Sequence, residues 1–549
     1  SFRRYPRETP GMYGVGFMVK RNLVNNIEEI RGISERIAIL NIKLSLYREE
    51  EEEWSIIQVY SPTESNKKED ITKIEKFYED LQTTIENAHK NVIVMGDFNG
   101  QIGTRNTGEE YTIGNHGFGT RSKNGTKLVT FALEYKLKIL NIFSKIILSR
   151  ITNTLEENQP KEQAGFRSNY STIDHIHALR QILQKHNEYN KTYYLGFVDF
   201  NKAFDTLEHG YIWDALDRQG VQTKYIQILK NVYTKSTAQV KLESTGEEFP
   251  IKRGVRQGDP ISPKLFSAVL EMIFRNLEWT KFGLNINGEN LSHLRFADDL
   301  ILFSDCPGTL EVMLQQLANE SAKAGLSMNL TKTKIMTNST QTEIIKVNNK
   351  QIDYVREYIY LGQLISTEDC MHKEIDRRIA NTWKRFWSLS EVMKSKDMPI
   401  KEKRKVFNMC ILPCLVYGCQ TWALTEQLVN KIKVCQNGIE RSTIGINRSN
   451  RVKLHEIKSR TNFKNAHTVY KQLKWRWTGH MMREEKEKWT KLITEWYPRD
   501  SKRNRGRQTK RWEDDIKKVA GPLWTRAAKD RTGWKSLEEA FVGRQAAPE

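Results

Sequence analysis

Two adjacent aspartates interrupt an apolar stretch of this chain. The segment 294–303 has the sequence LRFADDLILF, with Asp298 and Asp299 between apolar flanks. Carboxylates among apolar side chains are costly to bury, and two adjacent ones repel each other unless a cation compensates. The pattern therefore predicts a tight hairpin of two strands that carries both acids at its turn.

A third acid lies in similar surroundings. Asp199 ends the apolar segment 193–199, which we predict to be a strand. Hard divalent cations prefer carboxylate oxygens, and joining a nucleotide to a primer needs two such cations, roughly 3.5–4 Å apart. We therefore predict that Asp199, Asp298 and Asp299 converge on a site for divalent cations. Taken alone, Asp299 is as readily interpreted as a simple turn residue.

Two further features suit a nucleotide site. Phe204 lies five residues after Asp199, at the predicted turn into a helix, where its ring can close a pocket against a ribose 2′-hydroxyl. The segment 253–260, RGVRQGDP, precedes a predicted helix, and its glycines allow the backbone to approach a nucleotide closely. Within it, Gln257 is placed to bond the sugar or the base. Each feature also has a plainer interpretation, a core ring for Phe204 and a surface loop for 253–260.

An ordered series of blocks resembles the reverse transcriptases of non-LTR (LINE-type) retrotransposons. The blocks FVDFNKAFD, RGVRQGDPISPKLF, LRFADDLILF, GLSMNLTKTK and YIYLG follow the order and spacing of the palm motifs, and EQAGFR at 162–167 resembles the fingers motif. The resemblance covers roughly residues 142–365. It implies an RNA-directed DNA polymerase that adds deoxynucleotides to a primer 3′-hydroxyl, with Mg²⁺ or alternatively Mn²⁺ as cofactor.

The resemblance also implies roles for single residues around the metal site. Asp199 and Asp298 match the metal ligands, with Asp299 beside them. Either Lys332 or Lys334 matches the lysine that protonates the leaving pyrophosphate. The sequence does not choose between these two lysines.

The nucleotide pocket is assigned in the same way. Phe204 matches the gate against ribonucleotides, and Gln257 and Gly258 match the loop that lines the pocket. Arg167, the last residue of EQAGFR, matches a fingers residue that faces the incoming triphosphate. These four residues form the predicted nucleotide-binding set.

Residues 1–141 resemble a different family, the apurinic/apyrimidinic-endonuclease-like nucleases. A GDFN block, containing Asp97 and Asn99, follows a segment that we predict to be a buried strand, and Tyr60 opens a YSPT block. The resemblance implies that Asp97 orients the attacking water, Asn99 stabilises the phosphate and Tyr60 lines the site. The metal-binding Glu and the late Asp-His pair of that family have no match here. We therefore expect a remnant that does not cut DNA.

The carboxyl-terminal part, 396–549, is predicted to be helical and basic, and it resembles the tail of one LINE group. The whole chain has 87 Lys and Arg against 67 Asp and Glu, a net charge of +20 that favours polyanions as partners. Its tryptophans can stack on bases or, more simply, fill the core. The candidates for phosphate contact, or for a nuclear-import patch, are Arg503, Arg505, Arg507, Lys510 and Arg511.

We predict an α+β, multidomain chain. A partial α/β endonuclease layer over 1–141 precedes the fingers and palm of a right-hand polymerase over 142–340. Motif E and the start of a helical thumb follow over 341–395, and a basic helical tail over 396–549.

The expected partners are an RNA template, a DNA primer and deoxynucleoside triphosphates. We expect no membrane contact, because the apolar stretch 410–417 is too short to span a bilayer. The expected location is intracellular, in the nucleus, the cytoplasm or both. Two alternatives stay open: a catalytically inactive nucleic-acid-binding remnant, favoured by the junction near residue 141 that removes the usual first fingers block, and an active endonuclease, disfavoured by its incomplete site.

Overall fold

The protein is described by a computed structural model that divides into two compact units. The first comprises Ser1–Leu148 and Arg256–Ser262, and the second Ser149–Val255 and Pro263–Glu549. The predicted boundary at 141 lies near the end of the first segment, whereas those at 340 and 395 fall inside the second unit. The described residues are 15–17, 19, 21–44, 52–63, 68–103, 106, 108–109, 112–113, 121–137, 142–234, 236–241, 245–256, 258–368, 370–499, 501–503, 505–506 and 509–543.

The first unit contains a four-stranded sheet in the order β1-β2-β3-β4. Strands β3 and β4 are parallel, as expected for strands joined by a crossover helix, and the other pairs are antiparallel. A core of buried apolar residues, including Ile39, Ile57 and Phe77, packs between the sheet and its helices. The elements are β1 (Ile27–Gly32), β2 (Ile37–Leu44), β3 (Glu52–Tyr60), α1 (Lys68–Glu86), β4 (Asn91–Asp97), α2 (Lys123–Glu134) and α3 (Ile142–Glu157), the last of which continues into the second unit.

Strand β4 is partly buried on one face and exposed on the other, which corrects the prediction of a buried strand before GDFN. Val92 and Val94 pack against the core. Ile93 and Met95, on the opposite face, are 36% and 41% exposed. An apolar run alone does not reveal whether both faces of a strand are covered.

The second unit is built on a four-stranded antiparallel sheet in the order β10-β11-β5-β12. The other described strands pair as the hairpins β6–β7, β8–β9, β13–β14 and β15–β16. The elements up to residue 366 are α4 (Thr172–Glu188), β5 (Tyr194–Val198), α5 (Ala203–Thr206), α6 (His209–Arg218), α7 (Thr223–Thr234), β6 (Thr237–Lys241), β7 (Thr245–Pro250), α8 (Ser262–Arg275), β8 (Leu284–Ile286), β9 (Glu289–Leu291), β10 (His293–Phe296), β11 (Asp299–Ser304), α9 (Pro307–Lys323), β12 (Lys334–Thr337), β13 (Lys346–Val347), β14 (Lys350–Gln351), β15 (Glu357–Tyr360) and β16 (Gln363–Ser366).

Beyond β16 the regular structure of the described chain is helical, as predicted. Among the described residues, no helix is long and apolar enough to cross a membrane. The helices are α10 (Cys370–Ser388), α11 (Ser390–Met393), α12 (Ile400–Val406), α13 (Leu412–Val416), α14 (Glu426–Thr443), α15 (Leu454–Thr461), α16 (Ala466–Arg483), α17 (Trp489–Glu495), α18 (Asp514–Ala520), α19 (Trp524–Ala527), α20 (Arg531–Ser536) and α21 (Glu538–Gly543), with a π-helical turn at Phe407–Ile411.

Many tryptophans of this helical region fill the core, the simpler of the two interpretations. Trp475 is fully buried and stacks on Trp534 with ring centroids 4.0 Å apart. Trp512 and Trp524 belong to the same apolar cluster. Trp387, by contrast, is 52% exposed.

Helix α17 packs against the central sheet. Trp489 and Ile493 join the apolar core that contains residues of β5 and β11. The ammonium of Lys185, on α4, donates hydrogen bonds to the carbonyls of Ile493 and Thr494 at 2.6 and 3.0 Å, and also to that of Trp496. The carboxyl-terminal region is therefore part of the same compact unit as the sheet.

Candidate active site

The predicted hairpin is present, and we call β10, β11 and their turn (residues 293–304) the aspartate hairpin. Phe296 pairs with Asp299, so Ala297 and Asp298 form a two-residue turn. Ala297 has a left-handed backbone with φ of 58°, as tight hairpin turns require. The turn thus holds Asp298 at its tip and Asp299 at the start of β11.

Asp199 lies at the same end of the sheet. It directly follows β5, in which Val198 pairs with Leu300 of β11. One step further in this antiparallel register, Asp199 and Asp299 are cross-strand neighbours. The carbonyl of Asp199 accepts a hydrogen bond from the amide of Asn329 at 2.8 Å, which fixes its backbone.

The carboxyl of Asp299 is affected by its burial and by the other two acids. The surrounding protein, and then the charges of Asp298 and Asp199, raise the pKa of Asp299 to about 6, although its side chain is exposed. The Oδ2 atom of Asp199 is buried and accepts no hydrogen bond from a described residue. A carboxylate oxygen without a hydrogen bond, beside two further acids, suits a cation. Among the described residues, however, no three acidic, histidine or cysteine side chains already enclose a metal-sized space.

The two candidate lysines differ in their surroundings. The ammonium of Lys332 lies 3.5 Å from Oδ2 of Asp199, and its side chain is 68% exposed. Lys334 lies on β12 and instead donates to Oδ2 of Asp353 at 2.6 Å. Lys332 is therefore the lysine beside the carboxylates.

Phe204 belongs to an aromatic stack. Its ring lies almost parallel to that of Phe266, with centroids 4.7 Å apart, and Phe166 meets it edge-on at 6.4 Å. The amide of Val255 donates to the carbonyl of Phe204 at 2.7 Å. Gly254 also lies close to the residue after Phe204: a Cβ on Gly254 would be 2.6 Å from the carbonyl oxygen of Asp205. The start of the RGVRQGDP loop is thus held against this segment.

The remaining loop candidates are less informative. Gln257 lies outside the described residues. Gly258 belongs to the first unit and has φ of 86°, a conformation that favours glycine.

Arg167 makes contacts within the protein, and the expectation that it faces a triphosphate stays a prediction. Its guanidinium donates to Oε2 of Glu156 at 3.0 Å. It also donates to the carbonyls of Pro160 and Gln163 at 2.6 and 2.9 Å. The side chain is 6% exposed. The guanidinium therefore donates its N–H groups to oxygens of the protein, and Arg167 does not present them to a ligand in this structure.

The EQAGFR block lies directly against the aspartate hairpin, a contact that sequence reasoning missed. The amide of Arg295 donates to the carbonyl of Glu162, and the amide of Ala164 donates to the carbonyl of Arg295, both at 2.9 Å. A Cβ on Gly165 would lie 2.3 Å from the amide nitrogen of Ala297. The glycine of the block was the available signal, because glycine permits close backbone approach.

The nuclease-like residues come together in the first unit. Asp97, the last residue of β4, pairs with Tyr60, the last residue of β3. The amide of Asn99 donates to Oδ1 of Asp97 at 2.9 Å, and its side chain donates to the carbonyl of Ser61 at 2.7 Å. In the described part of this unit, no further acidic or histidine side chains complete a metal cluster around Asp97.

Several basic residues near the carboxyl terminus are bound to acidic partners. Arg503 and Arg511 both pair with the largely buried carboxylate of Glu188 on α4. Lys510 pairs with Asp515 at 2.6 Å. These pairs attach the segment to the protein, and contact of these three cations with phosphate stays a prediction.

The other two members of the predicted basic set differ. Arg505 is exposed, and Arg507 lies outside the described residues. Contact of Arg505 with phosphate therefore stays a prediction.

Comparison with known proteins agrees with this arrangement. Residues 125–365 match the family "Reverse transcriptase (RNA-dependent DNA polymerase)". A transposon-derived protein of Caenorhabditis elegans is 32% identical over 277 residues, which cover 46% of this chain and 97% of that protein. This chain belongs to the reverse transcriptase family. The predicted range of 142–365 lies within the matched residues.

More distant similarities extend to larger proteins. The Pol polyprotein from the type-2 retrotransposable element R2DM of Drosophila melanogaster is 29% identical over 34% of this chain, which spans only 18% of that polyprotein. The predicted affiliation with retrotransposon reverse transcriptases is confirmed. Apo telomerase from Candida tropicalis shares 15% identity and a TM-score of 0.36, covering 72% of this chain and 70% of that one, a likeness too distant to add to the sequence match.

Proposed function

We propose that this chain catalyses RNA-directed DNA synthesis, adding deoxynucleotides to the 3′-hydroxyl of a DNA primer on an RNA template. The observation that carries this proposal is the position of Asp199 and Asp299 as cross-strand neighbours, with Asp298 at the adjoining turn. Membership of the reverse transcriptase family supports it. The net charge of +20 supports binding of nucleic acid.

The three aspartates are proposed to hold two divalent cations, Mg²⁺ or alternatively Mn²⁺. Two observations support this: Oδ2 of Asp199 is buried without a hydrogen bond, and burial, followed by the charges of Asp298 and Asp199, raises the pKa of Asp299. Bound cations would offset both effects. When bound, such cations activate the primer hydroxyl and stabilise charge on the transferred phosphoryl group. The described carboxylates do not form a closed cage, so their side chains are expected to reorient on binding.

Lys332 is proposed to donate a proton to the leaving pyrophosphate. Its ammonium lies 3.5 Å from Asp199, and its exposed side chain is free to swing towards the departing oxygen. Lys334 is bound to Asp353 and is the weaker candidate. General acids of this kind contribute roughly 100-fold or more to a reaction rate.

The architecture is proposed to follow the right-hand polymerase plan. The sheet β10-β11-β5-β12 would be the palm, the EQAGFR block part of the fingers, and the helices from α10 the thumb and tail. The first unit is proposed to be a partial endonuclease-like layer. Its support is that Asp97 and Tyr60 end the parallel strands β4 and β3 side by side, with Asn99 bonded to Asp97.

Primer extension on an RNA template in Mg²⁺ tests the proposal, with Asp298→Ala as the comparison. We expect extension by the wild type and its loss in Asp298→Ala, with RNA binding retained. Equal extension by both proteins would overturn the assignment of the aspartates.

A second candidate function is that of an inactive nucleic-acid-binding remnant. The guanidinium of Arg167 is bonded to Glu156 and to two backbone carbonyls, and these internal contacts favour this candidate. Absence of extension by the wild type, together with salt-sensitive RNA binding, would support it over the polymerase.

A further inference from the structure

A phenylalanine of the EQAGFR block contacts Phe204, a member of the predicted nucleotide-binding set. Phe166 follows Gly165, which touches the aspartate hairpin at Ala297. The ring of Phe166 lies edge-on to that of Phe204, with centroids 6.4 Å apart and 85° between the ring planes. It is nevertheless 44% exposed. A large ring between the hairpin and Phe204 thus has a free surface for a ligand.

The backbone of Phe166 adopts a conformation that its side chain disfavours. Its φ is 58°, in the left-handed region that bulky residues rarely occupy. Bonds on both sides hold it there: the amide of Gly165 donates to Oε1 of Gln163 at 2.8 Å, and Arg167 is bound to Glu156 at 3.0 Å. Strained residues that are held by their surroundings cluster at functional sites.

The residue after Phe166, Arg167, has a buried side chain. Arg167, the position that the family resemblance assigns to the triphosphate, is 6% exposed and bound within the protein. Of these two residues, the one that offers its side chain to a ligand is Phe166. The exposed ring of Phe166 is therefore available to a ligand, whereas the guanidinium of Arg167 is not.

We propose that Phe166 is a positioning residue for Phe204 and thereby sets discrimination against ribonucleotides. Phe204 stacks on Phe266, at 4.7 Å and 14° between planes, and makes a T-shaped contact with Phe166. Edge-to-face aromatic contacts are directional, so loss of the Phe166 ring frees the Phe204 ring to tilt. A tilted ring leaves room for a 2′-hydroxyl. This inference rests on the proposed polymerase function.

The test is single-nucleotide insertion of dGTP and GTP on an RNA template, with kcat and KM measured for each. The matched control is Phe249→Leu, because Phe249 is 47% exposed and lies on β7. Phe166→Leu is expected to lower the preference for dGTP about tenfold, mainly through a lower KM for GTP. Phe166→Tyr retains an aromatic ring and is expected to keep the wild-type preference for dGTP. Phe249→Leu is expected to leave this preference unchanged. An unchanged preference in Phe166→Leu overturns the proposal.

A binding measurement separates this proposal from the polymerase proposal. Calorimetric titration of the Ca²⁺-loaded protein–RNA–primer complex with dGTP and GTP reports sugar preference without catalysis. A wild type that inserts neither nucleotide contradicts the proposed polymerase activity. A binding preference for dGTP that is lost in Phe166→Leu and kept in Phe166→Tyr still supports the role of Phe166. Equal preferences in wild type and Phe166→Leu overturn it.

Discussion

The indole of Trp489 donates a 2.8 Å hydrogen bond to Oε1 of Glu162, joining residues 327 positions apart in the chain. The ammonium of Lys161 also lies 4.3 Å from the centre of the Trp489 ring. Glu162 in turn accepts a backbone bond from Arg295 of the aspartate hairpin. A tryptophan of the carboxyl-terminal helices thus supports the block that touches the candidate active site.

Trp489→Phe is expected to destabilise the second unit by about 1–3 kcal/mol, because it removes a buried donor to a charged acceptor. Urea unfolding measures the change as a lower midpoint at unchanged slope. The matched control is Trp387→Phe, at a 52% exposed position, where we expect a change within about 0.5 kcal/mol. Similar midpoints for both variants would refute the proposed support.

Replacing Lys332 and replacing Lys334 are expected to have different effects on the insertion rate. Lys332→Ala should slow RNA-templated insertion roughly 100-fold, because its ammonium lies beside Asp199. Lys334→Ala should have little effect on the rate, since Lys334 is bound to Asp353. Single-turnover kinetics measure both, and a larger loss in Lys334→Ala would reverse the assignment.

Lys185 is expected to make stability depend on pH. Burial lowers the pKa of Lys185 to about 7, from an ordinary value of 10.5. Between these values the unfolded chain holds a proton that the folded protein releases. Stability from this group is therefore present above pH 10.5 and is lost as the pH falls towards 7.

The comparison is with Lys185→Met, which has no titrating group at this position. Between pH 7 and 9 the wild type is expected to gain at most about 1.4 kcal/mol per pH unit relative to the variant. Thermal unfolding across this range measures the difference. Parallel pH profiles for the two proteins would contradict the effect of burial.

The basic residues near the carboxyl terminus are expected to have two roles: Arg511 stabilises the fold, and Arg505 binds RNA. Arg511→Ala should cost about 1–3 kcal/mol of stability, because Glu188, whose side chain is 7% exposed, loses a partner. Arg505→Ala should leave stability within about 0.5 kcal/mol but reduce the salt slope of RNA binding by about 1. Unfolding and filter binding at several salt concentrations measure the two effects. Loss of stability in Arg505→Ala alone would contradict this division.

Local sequence patterns predicted the aspartate hairpin well. Asp298 and Asp299 sit between apolar flanks, and the alternative to a hairpin there is the burial of uncompensated charge. Asp199 was found for the same reason, at the end of an apolar strand. These features depend on neighbouring residues, so the sequence contains the information.

Features that depend on distant partners could not be predicted. The choice between Lys332 and Lys334 rests on Asp353, and motif spacing carries no information on that partner. The bond from Arg511 to Glu188 joins residues 323 positions apart, and without the fold Arg511 resembles a free cation. Composition identifies a basic segment, but not which of its charges are already paired.

The dependence of single-nucleotide insertion on Mg²⁺, on an RNA template, tests the central claim most directly. Asp199→Asn keeps the size of the side chain and removes its charge. We predict a rate that saturates with Mg²⁺ in the wild type and falls roughly 100-fold or more in Asp199→Asn. Insertion by the wild type without Mg²⁺, or insertion by Asp199→Asn at the wild-type rate, would contradict a metal site built on these aspartates.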